Sequence, residues 1–231
     1  MSKMKFSWYP KYAVDIVLCI DGKLPGESQE KDSNNLLDSV KTMARRMARD
    51  IHREMEAKGK RIDSFRVQTI VFREYLKDGE RAMLTTDFYA LPEETMPFEI
   101  ALNRIDSEGE FSQNSDGLEA LAYAIKSKWN TEYAHRRQVI IVWSDKGANV
   151  LGSGRKSSYY PKGMVQSMEE LQEWWDALGG TRRLVLFTPN SGMWNHISMN
   201  WDYVIHYPSG AGDGIPYSVY DEAVRCIVKD V

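Results

Sequence analysis

Two short runs constrain this chain more than any other feature. Val14 to Ile20 and Val139 to Trp143 are almost wholly apolar and rich in β-branched residues. Each stops abruptly at an acidic turn, the first at Asp21 and the second at Ser144-Asp145. A strand that reads as a continuous apolar run, rather than alternating, is covered on both faces. Asp15 is the exception within the first run, and its charge is expected near a strand end. Two such strands need helices on both sides of a sheet, and the intervening sequence supplies them. From Asn34 to Ala57 the apolar residues Leu36, Val40, Met43, Met47, Ile51 and Met55 recur at helical spacing, with charged residues between them. Ser33 or Asn34 is placed to cap this helix and Gly59 to end it.

The rest of the chain continues the alternation. Phe65 to Tyr75 reads as a strand, and Asp78-Gly79 as a turn into a paired strand, Ala82 to Tyr89. Together they predict an antiparallel pair at a sheet edge. A short helix opens at Pro92 and runs to Ile105. Ser112 to Asn114 form a polar loop ahead of a helix from Ser115 to Trp129. After the second apolar strand comes a long polar loop, Gly147 to Gln166, of the length that carries function or is disordered. Ser167-Met168-Glu169-Glu170 matches a capping box for a helix of Met168 to Leu178. Strand Arg183 to Thr188, a short helix after Pro189, strand Tyr203 to His206 and a helix from Ser218 to Val228 complete the order. The pattern predicts an α/β fold, doubly wound: a mostly parallel central sheet with one antiparallel edge strand and helices on both faces. No internal repeat or linker divides the chain, so residues 1–231 are expected to form a single domain.

Composition narrows the function classes. The 231 residues carry a formal net charge of −3, which gives no general attraction for nucleic acid or an anionic membrane. No stretch approaches the roughly 18 apolar residues of a membrane span, and the N-terminal residues contain no apolar run of secretory length. The two cysteines, Cys19 and Cys226, build no disulfide framework and have no zinc-site spacing. A cytoplasmic location is the expectation. No nucleophile elbow, phosphate loop or dinucleotide fingerprint is present. The glycines of Gly210 to Gly214 lie between Pro208 and Pro216 and read as a flexible turn. His52, His135, His196 and His206 are scattered without metal spacing. The basic cluster Lys41, Arg45, Arg46, Arg49 and Arg53 is balanced by Asp38, Asp50, Glu54 and Glu56, as on a solvated helix face.

In an open α/β sheet, ligands bind outside the carboxyl ends of the strands. Asp21 and Asp145 lie there. If their strands are neighbours, both carboxylates face one crevice, with Ser112 in the loop that precedes the second strand's helix. Two carboxylates and a hydroxyl are hard oxygen donors of the kind that hold magnesium.

At this point the residues resemble a known family. Val14 to Asp21 is similar to the first strand of von Willebrand factor A (VWA) domains and Phe65 to Phe72 to the second. Gly117-Leu118-Glu119-Ala120-Leu121 resembles the helix after the second metal-site loop, and Val139 to Asp145 the strand that ends in a metal-site aspartate. Phe72 to Tyr75 and Trp143-Ser144-Asp145 resemble bacterial intracellular members, including those of tellurite-resistance and phosphorylation-linked systems. The resemblance implies a metal-ion-dependent adhesion site built from a DxSxS loop, a threonine or aspartate from a second loop and an aspartate from a third. This chain departs from that pattern. Lys23 and Pro25 occupy the two serine positions, Ser112 aligns only approximately, with Ser115 and Asp116 nearby, and Asp145 is followed by Lys146.

Three readings of the crevice follow. In the first, the site is degenerate, and Lys23 or Lys146 pairs with Asp21 or Asp145 in place of a cation. In the second, Glu27 or Ser28 supplies the missing oxygens for weakly bound Mg2+ or Mn2+. In the third, the two aspartates cap the loops or helices that follow them. By resemblance, the function is a non-catalytic adaptor of a bacterial stress or defence system. It would bind a protein partner, such as a kinase or phosphatase, through Asp21, Lys23, Ser112, Asp145 and Lys146. A metal-dependent hydrolase using Asp21 and Asp145, or a structural subunit of a larger assembly, are the alternatives.

Overall fold

The computed structural model describes residues 11–24, 36–107, 112–179, 181–208 and 217–229. The apolar run at the start becomes strand β1, Tyr12–Asp21, and the amphipathic stretch becomes helix α1, Leu36–Ala57. Gly59 ends α1 as expected. Its φ of 70° is left-handed, its N–H reaches the Glu56 carbonyl, and Lys60 N–H reaches that of Met55. That is a Schellman stop, which a β-carbon would strain.

Strand β2, Ile62–Phe72, follows. The segment after it departs from the expected turn: Tyr75–Asp78 is a single helical turn, α2, continued by a 3-10 turn at Gly79–Arg81. The backbone N–H of Glu74 binds the Asp78 carboxylate at 3.0 Å, which closes the turn locally and ends the strand at Phe72 instead of Tyr75. Strands β3, Met83–Thr85, and β4, Tyr89–Ala90, both run antiparallel to β2. Helix α3 is Thr95–Asn103, β5 is Asn114–Ser115 and α4 is Gly117–Ile125. Strand β6 is His135–Trp143, and β7 is Gly147–Ala148. Helix α5, Met168–Asp176, begins at Ser167, whose hydroxyl accepts the Glu170 N–H at 3.2 Å. Strand β8, Thr181–Thr188, helix α6, Gly192–Asn200, strand β9, Val204–Pro208, and helix α7, Tyr217–Val228, complete the order.

The main sheet runs β3-β2-β1-β6-β8-β9, with β4 also on β2. The pairings from β2 through β1, β6 and β8 to β9 are parallel. Alternate residues of β1 divide between two cores. Val14, Ile16, Leu18 and Ile20 pack with α1, α3 and α7, whereas Val17 and Cys19 pack with α4, α5 and α6. Double-sided burial is therefore the physical reason for the unbroken apolar run.

Asp15 corrects the expectation of a strand-end position. It lies within β1, is buried, and accepts two hydrogen bonds from the Arg66 guanidinium, at 2.9 and 2.7 Å, and a third from the Asn130 N–H. A paired guanidinium on the neighbouring strand makes a carboxylate tolerable there. Among the described residues, no helix is long and apolar enough to cross a membrane.

Candidate functional site

From β1 the chain moves to β2 on one side, and later from β6 to β8 and β9 on the other. The change of direction lies between β1 and β6, which pair directly, Ile20 opposite Trp143. This is the position where open α/β sheets form a crevice. Asp21 closes β1 and Asp145 lies two residues past β6, so the sheet brings both predicted carboxylates to one place.

Their surroundings differ from those of a metal site. Asp21 is fully buried, and both its oxygens are engaged. Oδ1 accepts the Lys23 N–H at 2.9 Å and Oδ2 accepts the Ser144 hydroxyl at 2.7 Å. Asp145 Oδ1 is buried without a hydrogen bond among the described residues, with the Lys146 ammonium at 3.6 Å. Burial, and after it the charge of Asp21, pushes the Asp145 pKa upward, against the pull of Lys146. Lys146 Nζ donates to the Lys23 carbonyl at 2.6 Å, tying the end of β6 to the loop after β1.

Lys23 does not pair with Asp21 through its side chain. Its ammonium turns to the segment after β2, 3.1 Å from Glu74 Oε1 and 2.8 Å from Asp78 Oδ2. Burial disfavours this ammonium, but the hydrogen bonds it donates to Asp78 and Glu74, with their charges, outweigh it and raise the pKa. Glu74 is buried too, yet contacts from Ser112 and Lys23 hold it below the ordinary glutamate range. Ser112 thus serves Glu74 and accepts from the Asn114 N–H at 3.4 Å.

These residues do not fit a hard divalent ion. Each Asp21 oxygen already accepts a hydrogen bond, an ammonium lies beside Asp145, and position 23 is a lysine. Among the described residues, no three His, Cys, Asp or Glu side chains come together to hold a metal. Glu27 and Ser28 lie outside the described residues, as do Pro25, the caps at Ser33 and Asn34, and Gly210 to Gly214.

The long loop is pinned by a second polar set, which the sequence reading did not single out. Strand β7 pairs in parallel with β5, joining the Ser112 loop to the loop after β6. Asp116 accepts the Tyr75 N–H at 2.7 Å and the Asn149 amide at 2.8 Å. Burial raises its pKa, and those two hydrogen bonds partly offset the rise. Glu119 is fully buried. Its Oε1 accepts the Gly152 N–H at 2.9 Å and the Tyr160 hydroxyl at 3.1 Å, while Oε2 has no partner among the described residues. Burial, then the Asp116 charge, raises the Glu119 pKa to about 7. The legible signal was composition: Glu119 is the lone charge in Leu118 to Ile125, a helix otherwise fit only for a core.

Above these anchors stand apolar side chains. Leu76 on α2 and Val150 and Tyr159 on the long loop are 58%, 66% and 54% exposed. Tyr159 lies against the turn at Gly79, where an added β-carbon would sit 3.3 Å from its ring.

No protein-family model matches the chain, and no curated protein matches it. Solved structures do. The pilus adhesin SpaC of Lactobacillus rhamnosus GG superposes with a TM-score of 0.54 at 14% identity, covering 94% of this chain and 31% of that one. The minor pilin PilB of Streptococcus sanguinis gives 0.55 at 10% identity, covering 95% and 61%. The conserved hypothetical protein BatB of Bacteroides thetaiotaomicron gives 0.48 at 14% identity, covering 96% and 98%. The chain thus spans about a third and about three-fifths of the first two proteins' lengths. At these identities the first two likenesses concern the fold alone, a mostly parallel sheet with an antiparallel edge and helices on both faces.

Proposed function

We propose that this chain is a VWA-like, non-catalytic protein-binding domain that engages its partner with the crest around the crevice, without a metal. The observation that carries the reading is the set of exposed apolar side chains, Leu76, Val150 and Tyr159, on segments held by buried polar anchors. Exposed apolar groups on a rigid support lose little conformational entropy on binding, so their burial is available for affinity. Asp21, Lys23, Ser112, Asp145 and Lys146 are the supports of this crest: Lys146 ties the β6 end to the β1 loop, and Lys23 ties that loop to Glu74 and Asp78. The adaptor role, and a kinase or phosphatase as the first partner class to try, rest on the resemblance to bacterial intracellular VWA proteins.

Two measurements test the proposal. In quantitative capture from the native cell, partners of the wild-type chain should be lost with Leu76→Ser, Val150→Ser and Tyr159→Ser combined. Identical partner sets for both proteins would refute the crest. In titration calorimetry, Mg2+ and Mn2+ should give no heat of binding. Binding that disappears in Asp145→Ala would show a metal site and overturn the metal-free part.

A further inference from the structure

The part of the long loop that carries Val150 and Tyr159 hangs from one oxygen. Among the described residues, two hydrogen bonds tie residues 150–160 to the rest of the chain. They come from the Gly152 N–H and the Tyr160 hydroxyl, at 2.9 and 3.1 Å, and both end on Glu119 Oε1. The segment's backbone bonds are internal, such as Ser153 N–H to the Val150 carbonyl and Ser157 N–H to that of Gly154. Just before it, Asn149 is fixed separately, its N–H on the Ser115 carbonyl and its amide on Asp116.

Glu119 is fully buried in α4, and its Oε2 meets no donor among the described residues. This division suits a neutral carboxyl: the carbonyl oxygen accepts both hydrogen bonds and the proton sits on the other oxygen. An ionised carboxyl would leave half its charge on a buried, unsolvated Oε2. Relief is available locally, because lifting residues 150–160 breaks two hydrogen bonds and lets water reach the carboxylate.

The surroundings do not offset this charge. Among the described residues, the side-chain charge that acts most on Glu119 is that of Asp116, which is negative. Tyr75 from α2, with Tyr123 beside it, and Tyr160 from the loop face the same space; burial pushes the Tyr75 and Tyr160 hydroxyls upward, so both stay neutral. On the sheet side, Cys19 donates its thiol to the Ala120 carbonyl, and burial pushes its pKa upward as well. Helices α5 and α6 contribute the apolar Leu171, Trp175 and Trp194 to this core. Arg66, paired with Asp15, lies at the far end of α4, on the Lys128 carbonyl. The Arg155 side chain lies over Gly152 and is exposed.

We propose that Glu119 is a proton-operated latch: protonated, it holds residues 150–160 down on α4, and on losing its proton to water it releases them. The consequence for binding rests on the crest reading, since Val150 and Tyr159 ride on this segment: partner affinity should fall as pH rises. The carboxyl has a pKa of about 7 when docked, against an ordinary 4.5 once water reaches it. The docked form is therefore fully favoured below the lower value and loses ground as pH rises through the upper one. From pH 6 to 8 the ratio of released to docked segment should rise about ten-fold.

Hydrogen–deuterium exchange of the whole protein at pH 6, 7 and 8, corrected for the pH dependence of unstructured amides, tests the latch without any partner. Protection of residues 150–160 should fall about ten-fold across this range and lie well below that of β6. It should be flat in Glu119→Gln, which keeps an acceptor but cannot ionise. Tyr160→Phe, which removes one tie, should lower protection at every pH and keep the pH dependence. The latch is overturned by protection that does not change with pH, by equal pH dependence in wild type and Glu119→Gln, or by loop protection equal to that of β6 throughout. The last would mean that the segment opens only with the whole fold. Capture of the crest-dependent partners at pH 6 and 8 then reads the consequence. Loss at pH 8 in wild type but not in Glu119→Gln is expected, and equal capture at both values would overturn the link to binding. If no partner depends on the crest, the exchange result still decides the latch, so the two readings fail separately.

Discussion

Replacing Glu119 with glutamine removes a charge and keeps the shape. The buried carboxyl has a pKa of about 7 in the folded chain against an ordinary 4.5. Between those values the folded state holds a proton that the unfolded state has released, so stability falls as pH rises and levels off above about 7. At about 1.4 kcal/mol per pKa unit, the loss amounts to roughly 3 kcal/mol. Glutamine keeps an oxygen for the Gly152 N–H and the Tyr160 hydroxyl and cannot ionise, so Glu119→Gln should lose this part of the slope. At pH 8 it should melt roughly 6–12 °C above wild type, from about 2–4 °C per kcal/mol for a chain of this size. Urea unfolding of both proteins from pH 5 to 8.5, followed by tryptophan fluorescence, measures the effect. Asp116 and Asp145 also have raised pKa values and tilt both curves in the same direction, so the diagnostic quantity is the difference between the two proteins. Curves that stay parallel across this range would refute the reasoning.

The remaining predictions concern packing and paired charge. A β-carbon at Gly117 would lie 2.6 Å from a ring carbon of buried Trp194 and 3.2 Å from one of Phe72. Gly117→Ala should therefore lower stability by about 1–3 kcal/mol in thermal unfolding, although alanine favours helix elsewhere. Arg66→Leu leaves the buried Asp15 carboxylate, among the described residues, with the Asn130 N–H alone; discounted for the quarter-exposed guanidinium, a loss of about 2–3 kcal/mol is expected in urea. Adding Asp15→Asn should restore part of it. Lys23→Ser should destabilise by about 2–3 kcal/mol by removing the ammonium between Glu74 and Asp78, with Lys77 left to Glu74 alone, and calorimetry should show no gain of Mg2+ binding.

Much of the fold was legible because hydrophobic period depends on burial, and burial is what a sheet covered on both faces imposes. Val14 to Ile20, Val139 to Trp143 and the stripe of α1 are direct examples. The short-range features were less legible. The Asp78-Gly79 pair has turn chemistry, but a hydrogen bond from Glu74 N–H to Asp78 turned it into a helical turn. Asp15 suggested a strand end because sequence does not show the guanidinium that arrives from a strand 51 residues away. The candidate site was half legible for the same reason. Position along each strand was enough to bring Asp21 and Asp145 together. That Lys23 reaches Glu74 and Asp78 depends on where the turn after β2 folds back, which no local pattern encodes.

The two lysines of the crevice form one arrangement rather than two separate substitutions. An ammonium at position 23 close to Asp21 and Asp145 would satisfy one carboxylate and leave Glu74 with Lys77 alone and Asp78 without its lysine partner. Directed across to β2's end, it neutralises that pair, and its own carbonyl becomes the acceptor for Lys146. Lys146 can then lie beside Asp145 without a full hydrogen bond to it, because its charge is already solvated by a carbonyl. Each lysine makes the other's position tolerable, and together they join the ends of β1, β2 and β6. In the proposed metal-free reading, these contacts keep the crest in shape. Its rigidity should therefore be insensitive to chelators while remaining sensitive to loss of either lysine.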